Sequence, residues 1–384
     1  MTSRIRVMEI ARMNVGGPAT QVSELCGRLN AEEFDHRLYT GHVDGGEGDH
    51  LQLRGTTVPV HRVPGLGRSV RPIDDFRALY RLVGAMRAFR PHIVQTRATK
   101  AGALGRMAVR LSRVGAARVH VFHGHSLNGR GVRRSVYVRS ERYLAATADR
   151  LVTVGARVRD DLLEAGIGSP EQYVVIPPGV RPGPVPDREA ARAALGIPAD
   201  APVVAYVGRL TRAKRPDRFL EVADAVLRQV PGCRFLVCGS GEQKEEVERK
   251  IPPMWESFRL LGWRRDVETV YGAADVVVLT SDSEGTPLVL IEAGMAGVPV
   301  VSTRVGSVAE IVHDGYTGLL AAPDVGELAG HTVRLLSDPA LARRMGESAR
   351  EWTARSFGVE RLVADTEALF RSLRGASRSE LSNR

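Results

Sequence analysis

Glu284 and Glu292 stand with seven residues between them in Ser283-Glu284-Gly285-Thr286-Pro287-Leu288-Val289-Leu290-Ile291-Glu292-Ala293, where an apolar run gives way to a helical pattern. The preceding Asp275-Val276-Val277-Val278-Leu279 is a short β-branched run of the kind that lies buried in a parallel sheet. Thr286 is read as the N-cap and Pro287 as the first helical residue, where a missing N–H costs nothing. The N–H groups of Leu288 and Val289 then point at the strand's carboxyl end with the helix dipole behind them, forming an anion site. Glu284 and Gly285 fall in its mouth, and Glu292 shares a helical face with Leu288 and Met295. A carboxylate on an apolar face needs donors, because burying an unpaired charge is costly or shifts its pKa. Sugar hydroxyls are suitable partners, and a ribose diol can give two hydrogen bonds. The plainer reading is that both acids merely favour a helix N-terminus, worth roughly 0.3 to 1 kcal/mol each.

A cationic pair follows a different strand, in Val207-Gly208-Arg209-Leu210-Thr211-Arg212-Ala213-Lys214-Arg215-Pro216. Breaking a bond to a nucleotide leaves diphosphate charge on the departing group, which the guanidinium of Arg209 and the ammonium of Lys214 can stabilise without a metal. No Asp-x-Asp triplet, a common Mg or Mn holder in transferases, occurs in the sequence. The alternative for the two cations is surface salt-bridging. In Asn14-Val15-Gly16-Gly17-Pro18-Ala19, Gly16 and Gly17 let backbone approach a phosphate or an acceptor. The spacing Gly-x-Gly-x-x-Gly is missing there, which removes the best support for a nicotinamide or flavin enzyme. No Gly-Lys pair occurs either, against a P-loop kinase or ATPase. His123 ends an apolar run, in Phe122-His123-Gly124-His125-Ser126, while His120 lies within that run and is read as structural.

The stretch from Glu284 to Val301, with Gly306-Ser307-Val308-Ala309-Glu310-Ile311-Val312 and Gly315-Tyr316-Thr317-Gly318-Leu319-Leu320, resembles the signature of family 4 glycosyltransferases, which are retaining enzymes of the GT-B fold. The resemblance implies that Glu284 sits at the donor sugar and that Glu292 accepts from the ribose hydroxyls of the nucleotide. Arg209 and Lys214 match the family's Gly-Arg-Leu-x-x-x-Lys pattern, and His123 matches its active-site histidine, which is expected to hold the donor sugar. Leu261-Gly262-Trp263-Arg264-Arg265-Asp266-Val267 resembles the base-reading loop, and Gly239-Ser240-Gly241-Glu242 the strand-end glycine turn. Thr99-Lys100-Ala101-Gly102-Ala103-Leu104-Gly105-Arg106 and the Asn14 to Ala19 opening resemble a subset of bacterial members that build surface polysaccharides. The likeness thus covers roughly residues 4 to 373. Gln95 and Arg97, just before Lys100, stand where histidine-like residues are expected. The implied donor set is Gly16, Gly17, Arg209, Lys214, Arg265, Glu284, Gly285, Thr286, Leu288, Val289 and Glu292. The catalytic set is His123, Glu284, Arg209 and Lys214, with no metal and no cofactor besides the nucleoside-diphosphate sugar itself.

The elements that must position these residues are strands near 4–10, 93–96, 118–122 and 151–154, then near 203–207, 234–238, 258–261, 276–279 and 298–302, each leading into a helical pattern. The α/β alternation reads as two Rossmann-like domains facing across a cleft, with ligands beyond the carboxyl ends of the strands. The break falls at Ile176-Pro177-Pro178-Gly179-Val180. The expected division is residues 1–180 for the acceptor, 181–360 for the nucleotide sugar, a helix at 361–375 crossing back to the first domain, and a flexible tail at 376–384. A chain of 384 residues with 43% apolar content suits two such cores.

Cys26, Cys233 and Cys238 lack paired or metal-ligand spacing, which fits a reducing cytoplasm. The first apolar run is interrupted by charge and reads as a strand, not a signal peptide, and no stretch reaches membrane-span length. Residues 1–180 carry 27 Arg and Lys against 16 Asp and Glu, net +11, while the rest carry 27 against 28, net −1. This positive field suits a nucleic acid, an anionic membrane or a pyrophosphate-bearing substrate. Arg130, Arg133, Arg134, Arg139 and Arg142, interleaved with Val132, Val136, Tyr137, Val138 and Tyr143, read either as an interfacial segment or as a solvated basic face.

The expected function is a cytoplasmic glycosyltransferase, peripheral at the inner face of the membrane. It moves a sugar with retention from a nucleoside diphosphate to a hydroxyl of a saccharide, lipid-linked saccharide or small molecule, in polysaccharide, glycolipid or glycoconjugate biosynthesis. Nucleic acid is not an expected partner. The alternatives are a nucleotide-sugar epimerase of the same fold and a non-enzymatic protein that binds anionic polymers or membranes.

Overall fold

A computed structural model describes residues 4–14, 16–43, 48–54, 56–67, 69–125, 127 and 131–380. The chain divides into two compact units, Met1–Gly179 with Val359–Arg384, and Val180–Gly358. Among the described residues each unit holds one all-parallel sheet. The first contains β1 (Ile5–Ile10), β2 (Phe34–Thr40), β3 (Val60–Arg62), β4 (Ile93–Arg97), β5 (Ala117–Phe122), β6 (Arg150–Thr153) and β7 (Tyr173–Val175), in the order β3-β2-β1-β4-β5-β6-β7. The second contains β8 (Val203–Val207), β9 (Arg234–Cys238), β10 (Phe258–Gly262), β11 (Val276–Leu279), β12 (Val300–Thr303) and β13 (Gly318–Ala321), in the order β10-β9-β8-β11-β12-β13. Each chain path starts in the middle of its sheet, runs to one edge and returns to build the other half. The order therefore reverses between β1 and β4 and between β8 and β11, the switch points at which open α/β sheets bind ligands.

The strands expected from sequence are present within one or two residues, and both sheets are Rossmann-like. Four strands were not expected. β2 carries Asp35, His36 and Arg37 and alternates buried with half-buried positions, unlike the continuous apolar runs of its neighbours. β3 and β7 are three-residue edge strands, and β13 lies inside the Gly315 to Leu320 motif.

One face of the first sheet packs Leu25 of helix Gly17–Arg28 and Leu29, its C-cap, together with Leu362, Leu369 and Phe370 of the final helix, Val359–Glu380. Burial of each such side chain stabilises by about 1.5 to 3 kcal/mol, enough to seat this helix on the first sheet although it follows the second unit in sequence. It continues five residues beyond the expected end at 375. The other face packs Ala78, Leu82 and Met86 of helix Pro72–Phe89 and Ala101, Ala108 and Val109 of helix Thr99–Ser112. In the second unit, Leu290 and Ile291 of helix Leu288–Ala296 pack on one side of the sheet and Phe219, Leu220 and Val222 of helix Pro216–Leu227 on the other. Among the described residues no helix is long and apolar enough to cross a membrane.

Candidate active site

At the second switch point the loops after β8 and β11 are laced together. Asp282 N donates to Ala213 O at 2.9 Å, and Thr280 Oγ1 donates to Arg215 O at 2.9 Å. Arg218 donates to Thr280 O and to Asp282, both at 2.7 Å. This lacing fixes the 3-10 turn Arg212–Lys214 beside the acid loop. Lys214 Nζ donates to Glu284 Oε1 at 2.5 Å, and the same oxygen accepts from Ser281 Oγ at 2.6 Å. The Glu284 side chain is 8% exposed, so these partners offset much of its desolvation. The loop after β12 closes on the same residue. Ser307 N donates to Gly285 O at 3.1 Å, and Gly306 adopts φ 52° with its α-carbon so close to the Glu284 carbonyl that a Cβ would collide. Arg209 is exposed, and its side chain makes no ion pair among the described residues. Beneath it, Tyr206 donates to Arg209 O at 3.1 Å, and burial, then the Glu284 charge, push its phenol pKa far above the ordinary value.

Helix Leu288–Ala296 starts one residue later than expected. Pro287 has φ −73° and ψ 116°, an extended conformation, so it is the N-cap and not the first helical residue, and no side chain caps the helix. Leu290 N donates to Pro287 O, whereas the N–H groups of Leu288 and Val289 have no acceptor among the described residues. Thr286 stands just outside the helix, half-buried. Glu292 Oε2 accepts from Tyr271 OH at 2.8 Å. Burial, then the Glu292 charge, hold the Tyr271 phenol well above its ordinary pKa, so it remains a donor. Arg265 is exposed in the loop after β10, the edge strand. Gly239, at φ 150°, approaches the Gly208 carbonyl too closely for a side chain, which seats the loop after β9 against that after β8.

The remaining expected residues lie in the first unit. Gly16 is the N-cap of helix Gly17–Arg28 at φ 146°, and Val15 before it lies outside the described residues. His123 directly follows β5. Its Nε2 lies 3.0 Å from Nη1 of Arg97, whose Nε donates to Glu9 Oε1 at 2.7 Å. Gln95 Nε2 donates to the other Glu9 oxygen at 2.6 Å. Gln95 and Arg97 thus replace the expected histidine-like residues with a buried carboxylate clamp. Burial alone would raise the Glu9 pKa, but Arg97 and His36 overcome it and hold the group at about 2. His120 is buried beside Thr96 Oγ1 at 2.8 Å, as its place within the strand implied, and His125 pairs with Asp161 at 2.9 Å. Of the basic cluster, Arg130 and the Arg133 side chain lie outside the described residues.

Sequence reasoning missed Glu9, Gln95, Arg97, Ser281 and Tyr271. A carboxylate inside a buried parallel strand was the available signal for the first three, since such a charge demands partners. The Glu9 pKa carries a consequence for stability. It is depressed from 4.5 to about 2, so its stabilising contribution is present above pH 4.5 and lost as pH falls from 4.5 toward 2. Glu9→Gln is expected to flatten the acid limb of unfolding in that window. Urea melts of both proteins across it check this, and parallel acid limbs would contradict the pairing.

Residues 187–352 match the family described as Glycosyl transferases group 1, and residues 16–179 match the Glycosyl transferase 4-like domain. A D-inositol 3-phosphate glycosyltransferase of Streptomyces bingchenggensis is 28% identical over 397 residues, covering 95% of this chain and 87% of that protein. The UDP-Gal:alpha-D-GlcNAc-diphosphoundecaprenol alpha-1,3-galactosyltransferase of Escherichia coli is 28% identical over 381 residues, covering 96% and 97%. Sucrose-phosphate synthase of Thermosynechococcus elongatus has the same fold, with a TM-score of 0.80 at 24% identity over 97% of this chain and 100% of that one. Anabaena HepE, solved with UDP and glucose, gives 0.82 at 19% identity over 96% and 100%. Two Rossmann-like units, each matched along most of its length by a glycosyltransferase family, establish that the chain is a glycosyltransferase of family 4 with the GT-B fold.

Proposed function

We propose that the chain moves a sugar from a nucleoside diphosphate to an acceptor hydroxyl with retention of anomeric configuration and without a metal. The Lys214–Glu284 pair at the switch point, beside the unengaged N–H groups of Leu288 and Val289, carries this reading. Arg209 and those N–H groups receive the diphosphate, and Lys214 adds its charge to the departing oxygen. Glu284 and Gly285 meet the donor sugar, Thr286 borders the phosphates, Glu292 accepts from the ribose, and Arg265 lies toward the base. Within the first unit itself, His123 is the substrate-facing histidine and Gly16 and Gly17 allow close backbone approach. In the transfer step the acceptor oxygen bonds to the anomeric carbon as its bond to phosphate breaks, and the hydroxyl proton passes to the departing phosphate oxygen. The second unit binds the donor and the first the acceptor.

The names of the relatives favour a saccharide, lipid-linked saccharide or small polyol phosphate as acceptor, within polysaccharide, glycolipid or glycoconjugate biosynthesis. Thermal stabilisation by nucleoside diphosphate sugars is the first test. A ligand at 100 times its Kd adds about 2.7 kcal/mol, and NMR of the product then gives the anomer. Absence of stabilisation across the panel, or an inverted product, overturns the reading. Glu292→Gln is expected to weaken the best donor about tenfold, the scale of a hydrogen bond to a charge, and to leave affinity for its 2′,3′-dideoxyribose analogue unchanged. Equal losses for both compounds would remove Glu292 from the ribose.

An anionic membrane at the cytoplasmic face is the proposed peripheral partner. Among the described residues, nine of the twelve large, exposed apolar side chains lie between residues 70 and 143, which singles out this region of the first unit. Ile73, Phe76 and Tyr80 of helix Pro72–Phe89 are more than two-thirds exposed and alternate with exposed Arg77 and Arg81. Helix Thr99–Ser112 adds Met107, Arg110 and Leu111, and helix Val132–Ala145 adds Val136, Arg139 and Tyr143. Apolar anchors set among arginines suit the headgroup boundary of an anionic bilayer. The chain is expected to sediment with phosphatidylglycerol vesicles but not with phosphatidylcholine vesicles. Ile73→Ser/Phe76→Ser/Tyr80→Ser should abolish this, whereas a change of oligomeric state with unaltered vesicle binding would mark the face as a contact between copies.

A further inference from the structure

Glu9, Arg97 and His123 form a chain of contacts across three adjacent strands, and its direction is fixed by chemistry. Arginine has five N–H donors and no acceptor, and it stays charged in proteins. At the 3.0 Å contact between Arg97 Nη1 and His123 Nε2, arginine must therefore donate and Nε2 must accept. The ring proton then resides on Nδ1, which has no partner among the described residues. The arginine cannot swing away easily. Its side chain is 7% exposed, its Nε is bound to Glu9, and Glu9, 1% exposed, is held from its other oxygen by Gln95. Glu9 also keeps the buried guanidinium from being an uncompensated charge.

We infer that Glu9 and Arg97 are positioning residues that lock His123 with its proton on Nδ1, so that it meets a substrate oxygen as a hydrogen-bond donor and does not remove the acceptor's proton. This rests on the transfer reaction proposed above and assigns His123 a role within it. The charged and titratable groups around the imidazole agree. Burial, then the Arg97 charge, lower its pKa to about 3, against a smaller opposing effect of Glu9. His120, on the same strand, is itself held neutral by burial with Arg106 behind it. His123 is then a neutral donor throughout the neutral range, and the acceptor's proton leaves on the departing phosphate oxygen.

Imidazole nitrogen NMR of the full chain, with histidine labelled by nitrogen-15, reads the tautomer directly. The sequence has ten histidines, and loss of one signal set in His123→Asn assigns this one. The expected result is an Nδ1–H pattern that does not titrate between about pH 8 and pH 5. In Arg97→Met the signals should become a tautomer mixture whose midpoint rises above that of wild type while burial still holds it below 6.5, with Arg97→Lys intermediate. An Nε2–H pattern, a wild-type midpoint near 6.5, or unmoved signals in folded Arg97→Met each overturn the inference. Should Arg97→Met fail to fold, the wild-type spectrum decides alone. The NMR result is independent of turnover, so failure of the proposed reaction and failure of the tautomer lock are separately visible.

Discussion

Alanine in place of Lys214 is expected to lower kcat/KM by about 2 to 4 kcal/mol, roughly 30- to 1,000-fold, the scale of one preorganised electrostatic donor. Arg209→Ala is expected to fall in the same range for a different reason. Arg209 is exposed and free of any carboxylate among the described residues, so its removal takes a charge from the departing diphosphate and leaves the resting fold intact. Lys214 is engaged before substrate arrives, 2.5 Å from a glutamate that is 8% exposed. Its loss removes the cation and also leaves Glu284 with Ser281 as its one side-chain partner among the described residues, so the melting temperature should fall in Lys214→Ala and not in Arg209→Ala. Lys214→Arg keeps the charge but not the compact geometry that fits between the two loops, and recovery should be partial. Single-turnover rates with saturating donor separate the step from binding. Wild-type rates in both alanine variants would remove the cationic clamp from the mechanism, and with it the present account of metal-free transfer.

Part of this site was legible because it is local. Glu284, Pro287, Leu288 and Glu292 lie on one strand–turn–helix unit, where an apolar run, a glycine and a proline punctuate the chain. Even there the cap slipped by one residue, since Pro287 takes an extended ψ that composition does not specify. What partners a carboxylate is decided by tertiary pairing. Lys214 reaches Glu284 across 70 residues and Arg97 reaches Glu9 across 88, because β8 lies next to β11 and β1 next to β4. Strand order is invisible to periodicity, so Gln95 and Arg97 registered only as departures from a pattern. The same holds for the exposed face of helix Pro72–Phe89. Its Ile73, Phe76 and Tyr80 share a helical spacing with core positions, and only the fold tells which stripe the sheet covers.

Arg106→Met is expected to destabilise the first unit by about 3 to 5 kcal/mol, the cost of leaving one half of a buried ion pair. Arg106 and Glu141 meet at 2.9 Å with side chains 1% exposed, and they tie helix Thr99–Ser112 to helix Val132–Ala145. The pair lies against a tight seam, since Gly102 is so close to the His120 ring that no Cβ fits, and Arg106 Nε bonds the Gly102 carbonyl at 3.1 Å. Burial lowers the Arg106 pKa and Glu141 opposes that shift, so the guanidinium depends on this one carboxylate. Desolvation of both charges nearly cancels their attraction, and Arg106→Met/Glu141→Met should therefore regain most of the loss in urea melts. Equal destabilisation by the single and double variants would mean that the Arg106 side chain acts through contacts other than the ion pair. Because the cationic loop and acid pair reside in the other unit, donor stabilisation should survive Arg106→Met. Vesicle binding should not, since Arg139 and Tyr143 are carried by the helix that this pair anchors.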